Sequence, residues 1–333
     1  MTCNRPLVAL ALAGASALLT VACGAERDQP LAPSAREASA RAGAGQLRKS
    51  DAGAARTPQG ILTIVNGDTD QPVAGAQVTI AGRPLTSDAS GQVTAPEPVL
   101  AEAQVEITAS GFLKRETLVR SDTRFSLWPD RSGFSSAFTQ ELVFDPSFVQ
   151  DGKLSRPQVG VFIQFSSEVD SQAQSAVRDA AGLLTAATGG RIPFTVGAPP
   201  PGAPTITVKI DPGATFFGQF PGAAAFAGVP FVGNVLGGPN GTISFKDAGV
   251  SHFKALAAHE LGHHFGFGHP SSMPAMMNAA VDPNRSDYTE GEKLGMKMVL
   301  QRRPGNAFPD NDRAVVGASA RRGVLVFGCG LRD

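Results

Sequence analysis

Two rhythms of apolar and polar residues divide the chain. Between Gly60 and Trp128 the apolar positions come in short runs that alternate with polar ones. Residues 61–65, 73–80, 86–93 and 104–109 are such runs, set apart by turn residues such as Asn66-Gly67-Asp68 and Ser110-Gly111. Short, half-buried strands at regular spacing predict a small all-β sandwich over residues 59–128. From Gln158 the rhythm changes. Residues 159–165 read as a strand, Asp170 stands where a helix needs a cap, and Ala173, Val177, Ala180 and Leu184 recur on one helical face. Residues 192–196, 205–210, 224–232 and 242–245 read as four further strands, and Pro230 in the third of these suits a sheet edge. A helix beginning near Ser251 follows. Another opens at Thr289-Glu290-Gly291-Glu292, which has the form of a capping box, with Leu294 and Met298 on its apolar face. The pattern is that of an α+β chain: an all-β domain, a connector (129–157), a mixed domain (158–305) and a C-terminal tail (306–333). Phe134, Phe138, Phe144 and Phe148 of the connector are expected to pack onto the mixed domain. The tail holds one apolar run, 323–327, without a functional reading.

Composition narrows the partners. Lys+Arg and Asp+Glu both total 29, so the formal net charge is zero and nothing attracts nucleic acid by charge. Residues 1–22 read as an export signal: Arg5 precedes an apolar run, 7–21, that is short for a membrane span. The run ends in Leu19-Thr20-Val21-Ala22-Cys23-Gly24, which resembles a bacterial lipobox, although Thr20 stands where Leu is usual. The resemblance implies a lipid on Cys23 and a lipid-anchored protein of the bacterial cell envelope. Ordinary cleavage after Ala22, giving a secreted protein, is the alternative. Residues 23–58, rich in Ala, Arg, Ser and Gly, read as a flexible tether, with a removed propeptide as the other reading. Cys3, Cys23 and Cys329 are the only cysteines, so the exported chain does not rely on disulfides.

All five histidines lie between His252 and His269, and four belong to His259-Glu260-Leu261-Gly262-His263-His264-Phe265-Gly266-Phe267-Gly268-His269. On a helix His259 and His263 share a face, and two imidazoles at that spacing bind one zinc ion. Glu260 is placed to act as general base on a water at the same metal. Gly266 lets the chain turn out of the helix and bring His269 back as a third ligand. Three protein ligands leave a position open, the arrangement of catalytic zinc. His264 points off the metal face, and His252, two turns before His259, is too far away to ligate the same ion.

This string resembles the zinc signature of the metzincin peptidases. Ser272-Met273-Pro274-Ala275-Met276-Met277-Asn278 follows, similar to the methionine turn that metzincins carry beneath the metal, and Met277 matches the turn residue. The resemblance implies a catalytic domain with a twisted five-stranded sheet over the zinc helix, Zn2+ as cofactor, and peptide or protein substrates that pair with the strand around 226–232. Ala279 stands where astacin-like and serralysin-like members carry a tyrosine, so the subfamily stays open. The segments 72–80, 86–93 and 105–112 resemble the carboxypeptidase regulatory-like, prealbumin-type module. The expected activity is zinc-dependent endopeptidase, with a non-catalytic surface-binding lipoprotein as the alternative. Two further expectations follow. Residues from about Ser132 onward should fold without the β-sandwich, and Asp310-Asn311-Asp312 should be a solvated turn, since it lacks the oxygen spacing of a calcium loop.

Overall fold

Alternating burial along the first strands sets up two small facing sheets. In a computed structural model that describes residues 60–95, 103–119, 123–144, 153–154, 160–232, 235–236, 240–247, 253–303, 306–312 and 322–332, seven strands form this part. They are β1 (Ile61–Asn66), β2 (Gln77–Ile80), β3 (Arg83–Thr86), β4 (Gln92–Thr94), β5 (Gln104–Thr108), β6 (Arg115–Leu118) and β7 (Arg124–Leu127). One sheet has the order β4-β1-β7 and the other β3-β2-β5-β6. Leu62, Ile64, Val78, Val105, Ile107 and Phe125 point between them and are almost wholly buried. The signal segment 1–22, Cys23, the whole tether (23–58), Phe148 and His252 lie outside the described residues.

The second part is built on α1 (Ser136–Val143), β8 (Lys153–Leu154), β9 (Val161–Phe165), α2 (Ser171–Ala187), β10 (Phe194–Val196), β11 (Thr205–Ile210), α3 (Thr215–Gln219) and β12 (Ala225–Val232). It continues through β13 (Val235–Leu236), β14 (Gly241–Phe245), α4 (Phe253–His263), β15 (Ala280–Val281), α5 (Glu290–Gln301), β16 (Asn306–Ala307) and β17 (Arg322–Leu331). Asp170 caps α2 through Ala173 N at 2.8 Å, and the face of Ala173, Val177, Ala180 and Leu184 packs on α4. The main sheet has the order β10-β9-β11-β14-β12-β17-β15, with β13 attached to β12. β9, β10, β11 and β14 are parallel, and β12 runs against β14.

This sheet corrects three expectations. It has eight strands among the described residues, not five, because β13, β15 and β17 join it. The strand carrying Pro230 is not an edge: β12 is covered on its outer side by β17. Pro230 pairs with Val324 of β17 but lies beyond the β12–β14 ladder, which runs from Ala225 to Gly228. The apolar run of the tail is part of β17, and so part of the fold.

The sandwich has a core of its own that ends at Leu127, but packing crosses the boundary at residue 128. Thr57–Asp333 forms one compact unit. Trp128 and Leu113 belong to the same buried cluster as Phe134, Phe138 and the motif helix, and Trp128, Phe134 and Phe138 contact edge to face with centroids 6.5 Å apart. Below them lies a buried ionic network. Arg302 donates from Nε and Nη2 to the two carboxylate oxygens of Asp310, each at 2.6 Å, and to Ser126 Oγ and O at 2.9 and 3.0 Å. Arg115 Nη2 reaches Asp312 at 3.2 Å. Asp310 and Asp312 are thus buried partners of arginines and not a solvated turn. The backbone of 310–312 also pairs with Glu116 of β6, at 2.8 and 2.9 Å. The mixed domain therefore closes against the sandwich, and its independence from Ser132 onward is not what the packing implies.

Candidate metal centre

The motif helix α4 is buried on almost every side. Only Lys254 escapes full burial between Phe253 and His263. Polar side chains on such a helix must find partners inside the protein. The imidazoles of His259, His263 and His269 do so around one point: His263 Nε2 lies 3.0 Å from His259 Nε2, which lies 3.1 Å from His269 Nε2. His259 Nδ1 is 2.9 Å from Met276 O, and His263 Nδ1 is 2.7 Å from Phe267 O. A carbonyl cannot donate, so both Nδ1 atoms carry the proton and both Nε2 atoms present lone pairs. Two lone pairs facing each other at 3.0 Å repel unless a cation draws both. Zn–N distances of about 2.0–2.1 Å in tetrahedral geometry put ligand nitrogens about 3.3–3.4 Å apart, within a few tenths of an ångström of this spacing. The donor set therefore fits a zinc ion.

Burial also keeps the three rings neutral, as ligation requires. It lowers His259 to about 4 and His269 to about 3, in His269 with help from His259. It holds His263 well below its usual value, with the two neighbouring imidazoles adding to the effect. His264, on the other side of α4, is likewise held neutral by burial, down to about 4, and its Nε2 lies 3.2 Å from Thr242 O.

Local structure fixes the third histidine. The helix closes with Phe267 N donating to Gly262 O at 3.2 Å and Gly266 N to His263 O at 3.0 Å, the two bonds of a Schellman ending. Gly266 sits at φ 84, where a side chain would be strained. The next turn is pinned to α1: Gly268 N donates to Leu142 O at 2.8 Å, and the Glu141 carboxylate accepts from Ser271 N and Ser272 N at 2.8 and 3.0 Å.

The methionine segment lies against the helix. Asn278 ties it together, accepting from Ala275 N at 2.7 Å and donating to Pro270 O and Met273 O at 2.6 and 3.0 Å. Met277 N donates to Glu292 Oε1 at 2.8 Å, while Glu292 Oε2 accepts from Thr289 N at 2.7 Å in the capping box of α5. One carboxylate thus joins the cap of α5 to the methionine segment beneath the histidines. The Met277 sulfur fills the space beside Gly262, where a Cβ would collide with it. Alanine at an ordinary helix position stabilises by about 0.8–1.0 kcal/mol over glycine. Gly262→Ala is expected to do the reverse, costing about 1–3 kcal/mol by overpacking and weakening metal affinity. Denaturant unfolding of the metal-free and zinc-loaded variant checks this, and a stabilised variant with unchanged affinity would show that the contact is slack.

Glu260, next to His259, is fully buried. Its Oε1 accepts a hydrogen bond from the Cys329 thiol at 2.8 Å, and its Oε2 is buried without a partner among the described residues. Burial pushes the carboxyl up to about 8, and the thiol's hydrogen bond opposes the shift. His259, Glu260 and Cys329 also place one ligand atom each within 4.8 Å of one another. Cys329 is the residue that the sequence reading missed at the centre, because 69 positions separate it from Glu260 and its own neighbourhood carries no motif. Tyr288 is another, donating from its hydroxyl to Ala258 O, next to His259, at 2.6 Å. No protein-family model matches the chain, and no curated protein matches it.

Proposed function

We propose that this chain is a zinc-dependent endopeptidase of metzincin type that hydrolyses peptide bonds of extracellular or envelope proteins. The observation that carries the reading is the convergence of imidazole nitrogens, two with their lone pairs fixed inward, on a helix whose next residue is an acid with one unpartnered buried oxygen. His259, His263 and His269 would hold the metal, which supplies a polarised carbonyl and a water acidified towards pKa ~7. The Met276 and Phe267 carbonyls orient two of the ligands and raise their basicity. Burial alone favours the protonated Glu260, and a dication held by the neighbouring histidines would favour its carboxylate; in that form Glu260 takes the proton of the attacking water and passes it to the leaving amine. The methionine segment and Tyr288 set the position of α4 and so the position of the base.

The same reading puts the protein at the bacterial cell envelope through a lipid on Cys23, which the intact mass of the mature N-terminus checks. An unmodified Cys23 would remove the anchor. For the activity, the test is metal dependence. A chelator should stop hydrolysis of a quenched peptide library, and equimolar zinc should restore it. Hydrolysis that survives complete removal of metal would contradict the proposal.

A further inference from the structure

Glu260, His259 and His263 have no exposed surface, and β17 lies directly over two of them. The Phe327 ring stacks on His263 with centroids 4.8 Å apart and planes 21° apart, and the Cys329 thiol rests on Glu260 at 2.8 Å. Of the three imidazoles only that of His269 keeps part of its surface open, so an extended substrate reaching Glu260 and His263 has to displace β17. β17 is the last strand among the described residues. It runs antiparallel to β12 from Val232↔Arg322 to Ala225↔Cys329, and parallel to β15 at Ala280↔Gly330 and Val281↔Leu331. Without it, β12 and β15 would be two strand edges facing across the centre, each with unpaired backbone groups that an extended peptide could satisfy.

The side chains of β17 alternate as those of a peptide in a groove would. Leu325 and Phe327 pack inward against Ala227, Val229 and Leu236, while Val324 and Val326 are 56% and 51% exposed. At Gly323 an added Cβ would come within 2.7 Å of the Phe231 ring, and at Gly328 it would collide with the Phe216 ring. The floor thus takes large apolar residues at alternate positions, one of them over His263, and a residue without a side chain immediately after that one.

We propose that β12 and β15 are the walls of a groove for an extended peptide, and that β17 is its internal occupant, holding the centre closed until it is displaced or cut. The part of this concerning substrate rests on the peptidase reading above. Being tethered, β17 competes at an effective concentration on the order of mM, so peptides binding more weakly than that are excluded. Peptides that succeed should share its pattern: apolar residues at alternate positions, with a small residue after the one that lies on His263.

Two variants of the full-length chain test this, Gly328→Val, which drives β17 off Phe216, and Leu325→Ala, which removes an inward contact without a clash. Neither residue touches the histidines or Glu260. The readouts are the alkylation rate of Cys329 by iodoacetamide, followed by peptide mass, and hydrolysis of a quenched peptide library by the zinc-loaded protein. Zinc content and circular dichroism verify that each variant is folded. Both rates are expected to rise at least ~10-fold in a folded variant. A synthetic peptide of residues 322–331 carrying Cys329→Ser should slow the variant again. The proposal is overturned if Cys329 reacts no faster in either folded variant, or if the wild type hydrolyses peptides as fast as the variants do. If Cys329 becomes reactive but no form hydrolyses any peptide, β17 is a displaceable occupant and it is the peptidase reading that fails.

Discussion

His263→Ala is expected to remove metal and hydrolysis together. The ring it deletes supplies one of two inward lone pairs on α4 and, through Nδ1, the hydrogen bond that fixes the turn to His269 at Phe267 O. Losing an outer partner of a ligand already costs about 10–100-fold in metal affinity. Losing a ligand and the anchor of another must cost more, so zinc should fall from about one per chain to near zero at micromolar protein. The fold should survive, because the change leaves no charge unpaired: the histidines are held neutral by burial. Native mass spectrometry of the purified variant gives the stoichiometry directly. Retention of a full equivalent of zinc would move the metal to the other donor group, His259, Glu260 and Cys329.

Arg302→Met should produce the largest loss of stability among single changes. Arg302 is fully buried, with four hydrogen bonds to Asp310 and Ser126, and its guanidinium stands 5.9 Å over the Trp128 ring. Methionine matches the stem but leaves the Asp310 carboxylate buried, with Asn306 Nδ2 donating to it at 3.0 Å. Breaking a buried pair from one side costs about 3–5 kcal/mol, a large share of the stability of a typical domain. The double change Arg302→Met/Asp310→Asn removes the stranded charge and should recover part of the loss. Chemical denaturation of the wild type, the single variant and the double variant measures the coupling. A single variant within about 1 kcal/mol of wild type would mean that the network carries little of the junction between the two parts. The same packing predicts that a chain beginning at Ser132 fails to fold stably, since it lacks Ser126, Trp128 and Arg115.

Much of the local structure could be read from the residues. Asp170, Gly266 and the Thr289 box mark helix ends because their chemistry acts within four residues. The histidine spacing is legible for the same reason, since one helical turn sets it. What escaped depends on contacts distant in sequence. The run 323–327 is apolar in either a tail or a central strand, and only its pairing with β12 tells which. Pro230 suggested an edge because proline lacks one donor, but a strand needs that donor only where a neighbour lies on that side. Asp310 and Asp312 read as solvated because buried acids are rare, and their arginine partners lie eight and 197 positions away. The boundary after Trp128 marks where the sandwich's own core ends but not where its packing ends, because Leu113 and Trp128 belong to the second core.

The most direct test of the account compares wild type with Glu260→Gln, both loaded with zinc, on a broad peptide library. Glutamine keeps the size of the side chain and leaves His259, His263 and His269 in place, so zinc content should match at about one per chain. The variant has no carboxylate to take the proton of the attacking water. Hydrolysis should then fall by ~10²–10⁴-fold, the range expected for loss of a general base. Equal cleavage by the two proteins at equal zinc content would contradict the role given to Glu260 and with it the proposed chemistry of this centre.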